Sequence, residues 1–419
     1  MNVSAWNLRP ILSALRHYKV GTLVIIGQTA ITLAILCNSL FIIQQRLNLS
    51  TQPTGLLEAD VFTIDNQWIG IPTDLAARTQ GDLVALRALP GVIDAYAANS
   101  YPLSNGGWGD GVALTPEQQT ATTNSALYFA DEHGLQTLGL HLIAGRYFTP
   151  AEVVDFRQQD HMPAAGVIVT HALANKLFPK GDALGKGFYV MTENQKVSII
   201  GIVEQMQQPW ASVNNASRSN SILEPFRYLS SYTHYMVRAQ PGQAAAVIKA
   251  TQARLMQLNK ARLIDRVRTM PEARRIAYRD DRGLAIILSV VGIALMGVTA
   301  FGIIGVTSFW VTQRQRQIGI RRALGATRTA ILRYFQTENL LIAATGALLG
   351  ILLTVTLNVW LAGKFEVASI PFGHIAAAAA IVLTLGQLAV LWPALRAASI
   401  SPAIAIRGAQ VSPSAVATQ

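Results

Sequence analysis

Four long apolar runs, at residues 20–43, 283–311, 339–361 and 375–395, constrain this chain more than any other feature. At about 1.5 Å of rise per residue the first run reaches roughly 36 Å, enough to cross a hydrocarbon core of about 30 Å with some tilt. Inside a bilayer every backbone N–H and C=O has to be bonded within its own segment, and a single apolar run satisfies that only as an α-helix. The sequence therefore predicts a helical membrane protein with four transmembrane helices. Run 283–311 exceeds what a bilayer needs, so its end is expected to project as a stalk. Residues 44–282, between the first and second helices, are of mixed composition and are expected to fold as a separate extramembrane domain.

Charge sets the orientation. Residues 314–335, RQRQIGIRRALGATRTAILRYF, carry Arg314, Arg316, Arg321, Arg322, Arg328 and Arg333 and no acid. Arg9, Arg16 and Lys19 precede the first run, and Arg396 and Arg407 follow the last. Residues 44–282 hold 22 basic and 21 acidic side chains, so the formal net charge of +11 lies almost wholly beside the membrane. Short basic segments stay on the cytoplasmic side. The predicted order is a cytoplasmic amphipathic segment (1–19), helix one (20–43), a periplasmic domain (44–282), helix two with its stalk (283–311) and a cytoplasmic coupling segment (312–338). Helix three (339–361), a short periplasmic loop (362–374), helix four (375–395) and a cytoplasmic tail (396–419) complete it. Both termini lie inside a multi-pass protein of the inner membrane. The juxtamembrane excess is explained by topology and calls for no nucleic-acid partner. Leu8, Ile11, Leu12 and Leu15 repeat at helical spacing near Trp6, with Arg9 and Arg16 off that stripe. This suits either a helix lying in the inner interface or an extension of an uncleaved first span.

The periplasmic stretch reads as α+β. Runs of strand-forming residues occur at 61–64, 166–170, 196–203 and 235–238, and helical patterns at 74–89 and 243–258. The linker-like TQPTG at 51–55 and the SNGG cluster at 104–107 punctuate them.

Sites for chemistry are sparse. Cys37 is the only cysteine and lies in the first run, so no disulfide forms within one chain, and Leu36 before it lacks the small side chain of a lipoprotein signal. The seven histidines show no metal-ligand spacing, and no GxSxG occurs. Residues 181–187, GDALGKG, resemble a phosphate loop, but only three residues separate Gly181 from Gly185 and Gly187 stands where a hydroxyl would reach magnesium. A turn is expected there. The apolar runs hold no ionisable group deep inside, which argues against ion-coupled transport. Their amides, Gln28, Asn38, Asn358 and Gln387, suit helix–helix bonding. Gly346 and Gly350 form a GxxxG, a pattern that allows helix backbones to approach closely, in one reading across a dimer. Gly325-Ala326 is expected to turn the chain into the next helix.

Three segments carry a family resemblance: RQRQIGIRRALGATRTAIL (314–332), FQTENLLIAATGALLGILL (335–353) and WPALRAASISPAIAIRG (392–408). The first matches at Arg316, Ile318, Gly319, Ile320, Arg321, Arg322, Ala323, Leu324, Gly325 and Ala326. The last matches at Pro393, Ala394, Ala397, Pro402, Ala405 and Arg407. GLHLIAGRYF (139–148), ALANKLF (172–178) and ALGK (183–186) add matches in the external domain. With the four-helix topology, the chain resembles the MacB/FtsX-type ABC permeases, the mechanotransmission class.

The resemblance implies a non-catalytic subunit. ATP and magnesium are then bound by a separate cytoplasmic ABC ATPase dimer, with no cofactor on this chain. It implies a second permease, identical or homologous, and leaves open a periplasmic adaptor and an outer-membrane channel. The stalk maps to the end of helix two through Arg322, and the coupling helix to about 326–335. Arg316, Ile318, Gly319, Arg321, Arg322, Gly325, Ala326, Thr327, Arg328 and Ile331 are the implied ATPase-coupling residues. Efflux or extraction of a periplasmic or membrane substrate is the implied task. Control of an extracytoplasmic enzyme, or a purely structural anchor, are the competing readings.

Overall fold

The computed structural model describes residues 19–70, 72–163, 166–211, 217–365 and 370–400. The N-terminal stripe of leucines and the tail positions Pro402, Ala405 and Arg407 lie outside them. The described chain divides into two compact units, Ser50–Asp280 and the remainder.

Four helices in the second unit are long and apolar enough to cross a membrane. They are α1 (Lys19–Thr51), α7 (Arg279–Gln313), α9 (Arg328–Phe365) and α10 (Phe372–Ala398). Each helix outruns its apolar run, because helical hydrogen bonding continues where hydropathy stops. The stretch 326–335, to which the resemblance maps the coupling helix, is mostly the opening turns of α9. The bundle is tied by polar contacts. Thr32 Oγ1 and Thr299 Oγ1 are 2.8 Å apart, and Asn339 Nδ2 donates to Gly386 O at 3.0 Å. Cys37 is buried in this unit as a small apolar residue.

Unit 50–280 is α+β. Strands β1 (Val61–Trp68), β2 (Val92–Ala98), β12 (Tyr232–Ala239) and β13 (Arg262–Thr269) form an antiparallel sheet in the order β13-β1-β12-β2. Period-two alternation puts Phe62, Ile64, Tyr235 and Val237 on one face. Leu83 and Leu86 of α2 (Leu75–Arg87) and Val247 and Leu255 of α5 (Ala244–Leu258) pack on it as one core. Arg262 lies within it, 1% exposed, with Nη1 and Nη2 on the two oxygens of Asp82 at 2.7 and 2.8 Å. Tyr235 donates to the same carboxylate at 2.7 Å, and the Trp68 ring lies 4.2 Å from the guanidinium.

The second sheet runs β5-β9-β7-β10-β4-β3-β8. Its strands are β3 (Trp108–Ala113), β4 (Thr123–Phe129), β5 (Leu142–Gly145), β7 (Gly166–Thr170), β8 (Gly187–Val190), β9 (Gln195–Val203) and β10 (Ser221–Glu224). Strand β8 pairs with both β3 and β9, so the sheet returns on itself and leaves few open edges. Phe129, Val167, Phe188, Ile199 and Ile222 fill its interior. Gly145 explains one family-like glycine: at φ +77°, a Cβ there would lie 2.2 Å from Ile200 O. Residues 181–186 form the turn that leads into β8, and Lys186 pairs with Asp182 rather than facing a phosphate cradle.

Glu224 ends β10 fully enclosed, and its Oε2 has no hydrogen-bond partner among the described residues. Burial, reinforced by the negative Asp110, raises its carboxyl to about 8. Asp131, also buried, is raised to about 6 by desolvation, partly opposed by the backbone N–H of His133 and by Arg87.

Candidate coupling site between the second and third spans

The arginine-rich connector folds as one compact turn. Helix α7 ends at Gln313, a nine-residue helix α8 (Gln315–Ala323) follows, and α9 starts at Arg328. Gly325 has φ +96°, a region in which a side chain is strained. Its N–H donates to Arg322 O at 3.1 Å, and that of Ala326 to Arg321 O at 3.0 Å. This pair of bonds is the Schellman closure of a helix C-terminus. Thr327 then caps α9, its Oγ1 accepting from Ala330 N–H at 3.2 Å. The GAT triplet thus stops one helix and starts the next.

Buried groups tie this turn to three long helices. Arg314 Nη1 lies 3.0 Å from each carboxylate oxygen of Glu338 on α9, with side chains only 8% and 2% exposed. Its guanidinium is 5.8 Å from the Trp310 ring of α7. Ile318, Ile331 and Phe335 are buried in a cluster with Val390, Ala394 and Ala397 of α10. Arg322 Nη1 donates to Ala398 O at 3.0 Å and to Ile400 O at 2.6 Å. A helix end leaves carbonyls without partners and carries partial negative charge, so a guanidinium suits it on both counts.

The expected coupling residues therefore separate by environment. Ile318, Gly319 and Ile331 are buried, and Arg322 and Ala326 are half-buried. Arg316, Arg321, Gly325, Thr327 and Arg328 are exposed, with Arg321 placed 5.2 Å over the Tyr334 ring. Between the exposed arginines stand two exposed apolar residues, Ile320 (49%) and Leu324 (83%). The sequence reading left both out of the site, and it missed the roles of Arg314 and Glu338. A usable signal existed: Glu338 is the only acid between residues 282 and 365, close in sequence to six arginines.

Gly346 and Gly350 form a separate contact. A Cβ at Gly346 would lie 2.8 Å from Thr29 Cβ and 2.9 Å from Ile26 O, and one at Gly350 would lie 2.8 Å from Ala30 O. The GxxxG face is taken by the chain's own α1, whose backbone approaches too closely for any side chain.

Comparison with known proteins agrees with this architecture. A family model for the MacB-like periplasmic core domain matches residues 24–254, and one for the FtsX-like permease C-terminal matches residues 289–402. A probable export ATP-binding/permease protein of Pseudomonas fluorescens (strain Pf0-1) is 26% identical over 245 residues, 56% of this chain and 34% of that protein. The macrolide export ATP-binding/permease protein MacB of Escherichia coli (strain K12) is 27% identical over 282 residues, 63% of this chain and 42% of that protein. The chain spans about a third to two-fifths of the length of these two relatives. The crystal structure of the periplasmic region of MacB from Actinobacillus actinomycetemcomitans aligns with 55% of this chain and 97% of that one, at 14% identity and a TM-score of 0.35. The core-domain match alone covers more than half of the sequence, and with the C-terminal match it shows that this multi-pass membrane protein belongs to the MacB/FtsX-type family of ABC transporter permeases.

Proposed function

We propose that the chain is the non-catalytic permease of an ABC exporter, driven by a separate cytoplasmic ATPase dimer that binds ATP and magnesium. In this reading the exposed face made by Arg316, Ile320, Arg321, Leu324 and Arg328 receives the ATPase. Apolar side chains at the centre and arginines around them suit a protein partner with an acidic rim. Force on that face acts on the α7, α9 and α10 ends together, because α8 is fastened to all three. The observation that carries the reading is that fastening: Arg314 on Glu338, and Arg322 on the last carbonyls of α10. Motion then reaches unit 50–280 along α1 and α7, whose residue ranges both extend into it. The four spans lack deep ionisable groups that would mark a substrate path, which favours substrate handling outside the membrane. A second permease, identical or homologous, completes the assembly, and a periplasmic adaptor and outer-membrane channel fit an exporter of this kind.

The test is reconstitution with the ATPase. The full chain, purified from its native host, should retain an ABC ATPase, and substrate should stimulate hydrolysis in nanodiscs. An Arg321→Glu/Arg322→Glu pair should leave insertion intact and abolish that stimulation. Unchanged transport by this variant would refute the coupling role. Hydrolysis that responds to an extracytoplasmic enzyme instead of a transported substrate would favour a regulatory transducer.

A further inference from the structure

The ends of α7 and α10 enclose a cleft of about 270 Å³, lined in part by Ser308, Thr312, Gln315, Arg396 and Ser399. Among the described residues, no carboxylate lines it. Two of its hydroxyls are committed: Thr312 donates to Ser308 O at 3.0 Å and Ser399 to Arg396 O at 2.8 Å. Ser308 Oγ is different. It is buried and has no hydrogen-bond partner among the described residues. Arg396 lies 5.7 Å from the Trp392 ring, and that indole is 58% exposed. An exposed indole at the end of a spanning helix marks the membrane–water interface.

An arginine in the last turn of α10 suits the helix dipole without any ligand. That does not explain a buried hydroxyl lacking an acceptor in the same cleft, since such groups are normally satisfied by protein, water or ligand. An anion that accepts from Ser308 Oγ would satisfy that hydroxyl, and Arg396 and the Gln315 amide line the same cleft. The matching chemistry is a phosphate oxygen, and basic pockets between spans on the cytoplasmic side bind lipid head groups. We propose that this cleft binds the phosphate of an anionic phospholipid of the cytoplasmic leaflet, with Arg396 supplying the charge and Ser308 a hydroxyl donor. The lipid bridges the α7 and α10 ends beside the contact that Arg322 makes from within the protein. The choice of leaflet rests on the proposed topology; the phosphate site itself does not.

Native mass spectrometry of the full chain in detergent tests this, with phosphatidylglycerol or phosphatidylcholine added. Phosphatidylglycerol should be retained in preference to phosphatidylcholine. Arg396→Gln, a change at an exposed side chain, should weaken that retention about fivefold, the worth of one basic residue at an anionic lipid surface. Ser308→Ala should weaken it by a smaller factor. Arg333→Gln, an equal charge change on exposed α9 surface, should leave it unchanged. Equal weakening by Arg396→Gln and Arg333→Gln would mean diffuse attraction and overturn the site. Equal retention of both lipids would overturn it too. Displacement of the lipid by millimolar inorganic phosphate would assign the cleft to a free anion. Micelles have no sidedness, so these results are independent of topology. Labelling of Ser399→Cys by an impermeant thiol reagent from outside the cell would overturn the leaflet while leaving the phosphate contact standing.

Discussion

Neutralising one side of the Arg314–Glu338 pair should destabilise the helical unit far more than neutralising both. The two carboxylate oxygens of Glu338 lie 3.0 Å from one guanidinium nitrogen, and the side chains are 8% and 2% exposed. Solvent screening is therefore weak, and Glu338→Gln strands a buried cation. Losing one partner of a buried pair costs about 3–5 kcal/mol, because the survivor remains unpaired out of water. Arg314→Met strands the carboxylate and should cost a similar amount. The double variant Arg314→Met/Glu338→Leu removes both charges and keeps bulk on both helices. Its cost should fall to about 1–2 kcal/mol or less, since apolar replacements of buried pairs are often close to neutral. The cycle should thus return an interaction of several kcal/mol, measured as reversible denaturation of the full chain in one detergent. Each single variant should also reduce substrate-stimulated ATP hydrolysis, because the pair fastens α7 to α9. Single variants costing under about 1 kcal/mol each, or a double cost equal to their sum, would refute the claim that this pair is a buried and mutually dependent contact.

Glu224 gives a pH prediction. Its folded carboxyl titrates near 8 against an ordinary value of 4.5, so the folded state holds a proton that the unfolded state has lost. Stability of unit 50–280 should fall by about 1.4 kcal/mol per pH unit between about pH 4.5 and 8, and level off above. Glu224→Gln should remove that share of the slope, read by tryptophan fluorescence during urea unfolding; an unaltered slope would contradict the assignment. Arg262→Met should cost about 3–5 kcal/mol in the same assay by stranding Asp82, and a loss below about 1 kcal/mol would mean that the pair is hydrated. Gly325→Ala forces a side chain into φ +96° and should cost about 1–2 kcal/mol, whereas Thr327→Ala should cost about 1 by removing the cap of α9. A Gly325→Ala variant as stable as the parent would show that the turn relaxes to another conformation.

Residues whose signal is local were legible in the sequence. The strand-forming stretches 61–64, 166–170, 196–203 and 235–238 all fall inside strands, and the periodic stretches 74–89 and 243–258 contain α2 and α5. Strands β3 (WGDGVA) and β13 (RLIDRVRT) were not legible. Two glycines weaken the pattern in one, and three arginines disguise the other as surface. Arg262 belongs inside only because Asp82 is there to meet it, and that partner is 180 residues away. The partners of Arg314 and Arg322 were hidden in the same way. Positive-inside reasoning treats six arginines alike, yet Arg314 is buried on an acid 24 residues later, Arg322 caps a helix 76 residues later, and Arg316 faces solvent. Motif spacing located Gly346 and Gly350, but which helix they would meet depends on the packing of α1, which no local pattern encodes.

Photocrosslinking from position 324 in intact cells tests the central claim most directly, since Leu324 is 83% exposed on the proposed ATPase-facing surface. A photoreactive residue there should form its adduct with a cytoplasmic ABC ATPase, and Leu324→Cys should be unreachable by an impermeant reagent added outside. Labelling of that cysteine from outside, or crosslinking yields only lipid adducts while the same cells transport normally, would contradict the proposal that force enters this permease through the 314–335 connector.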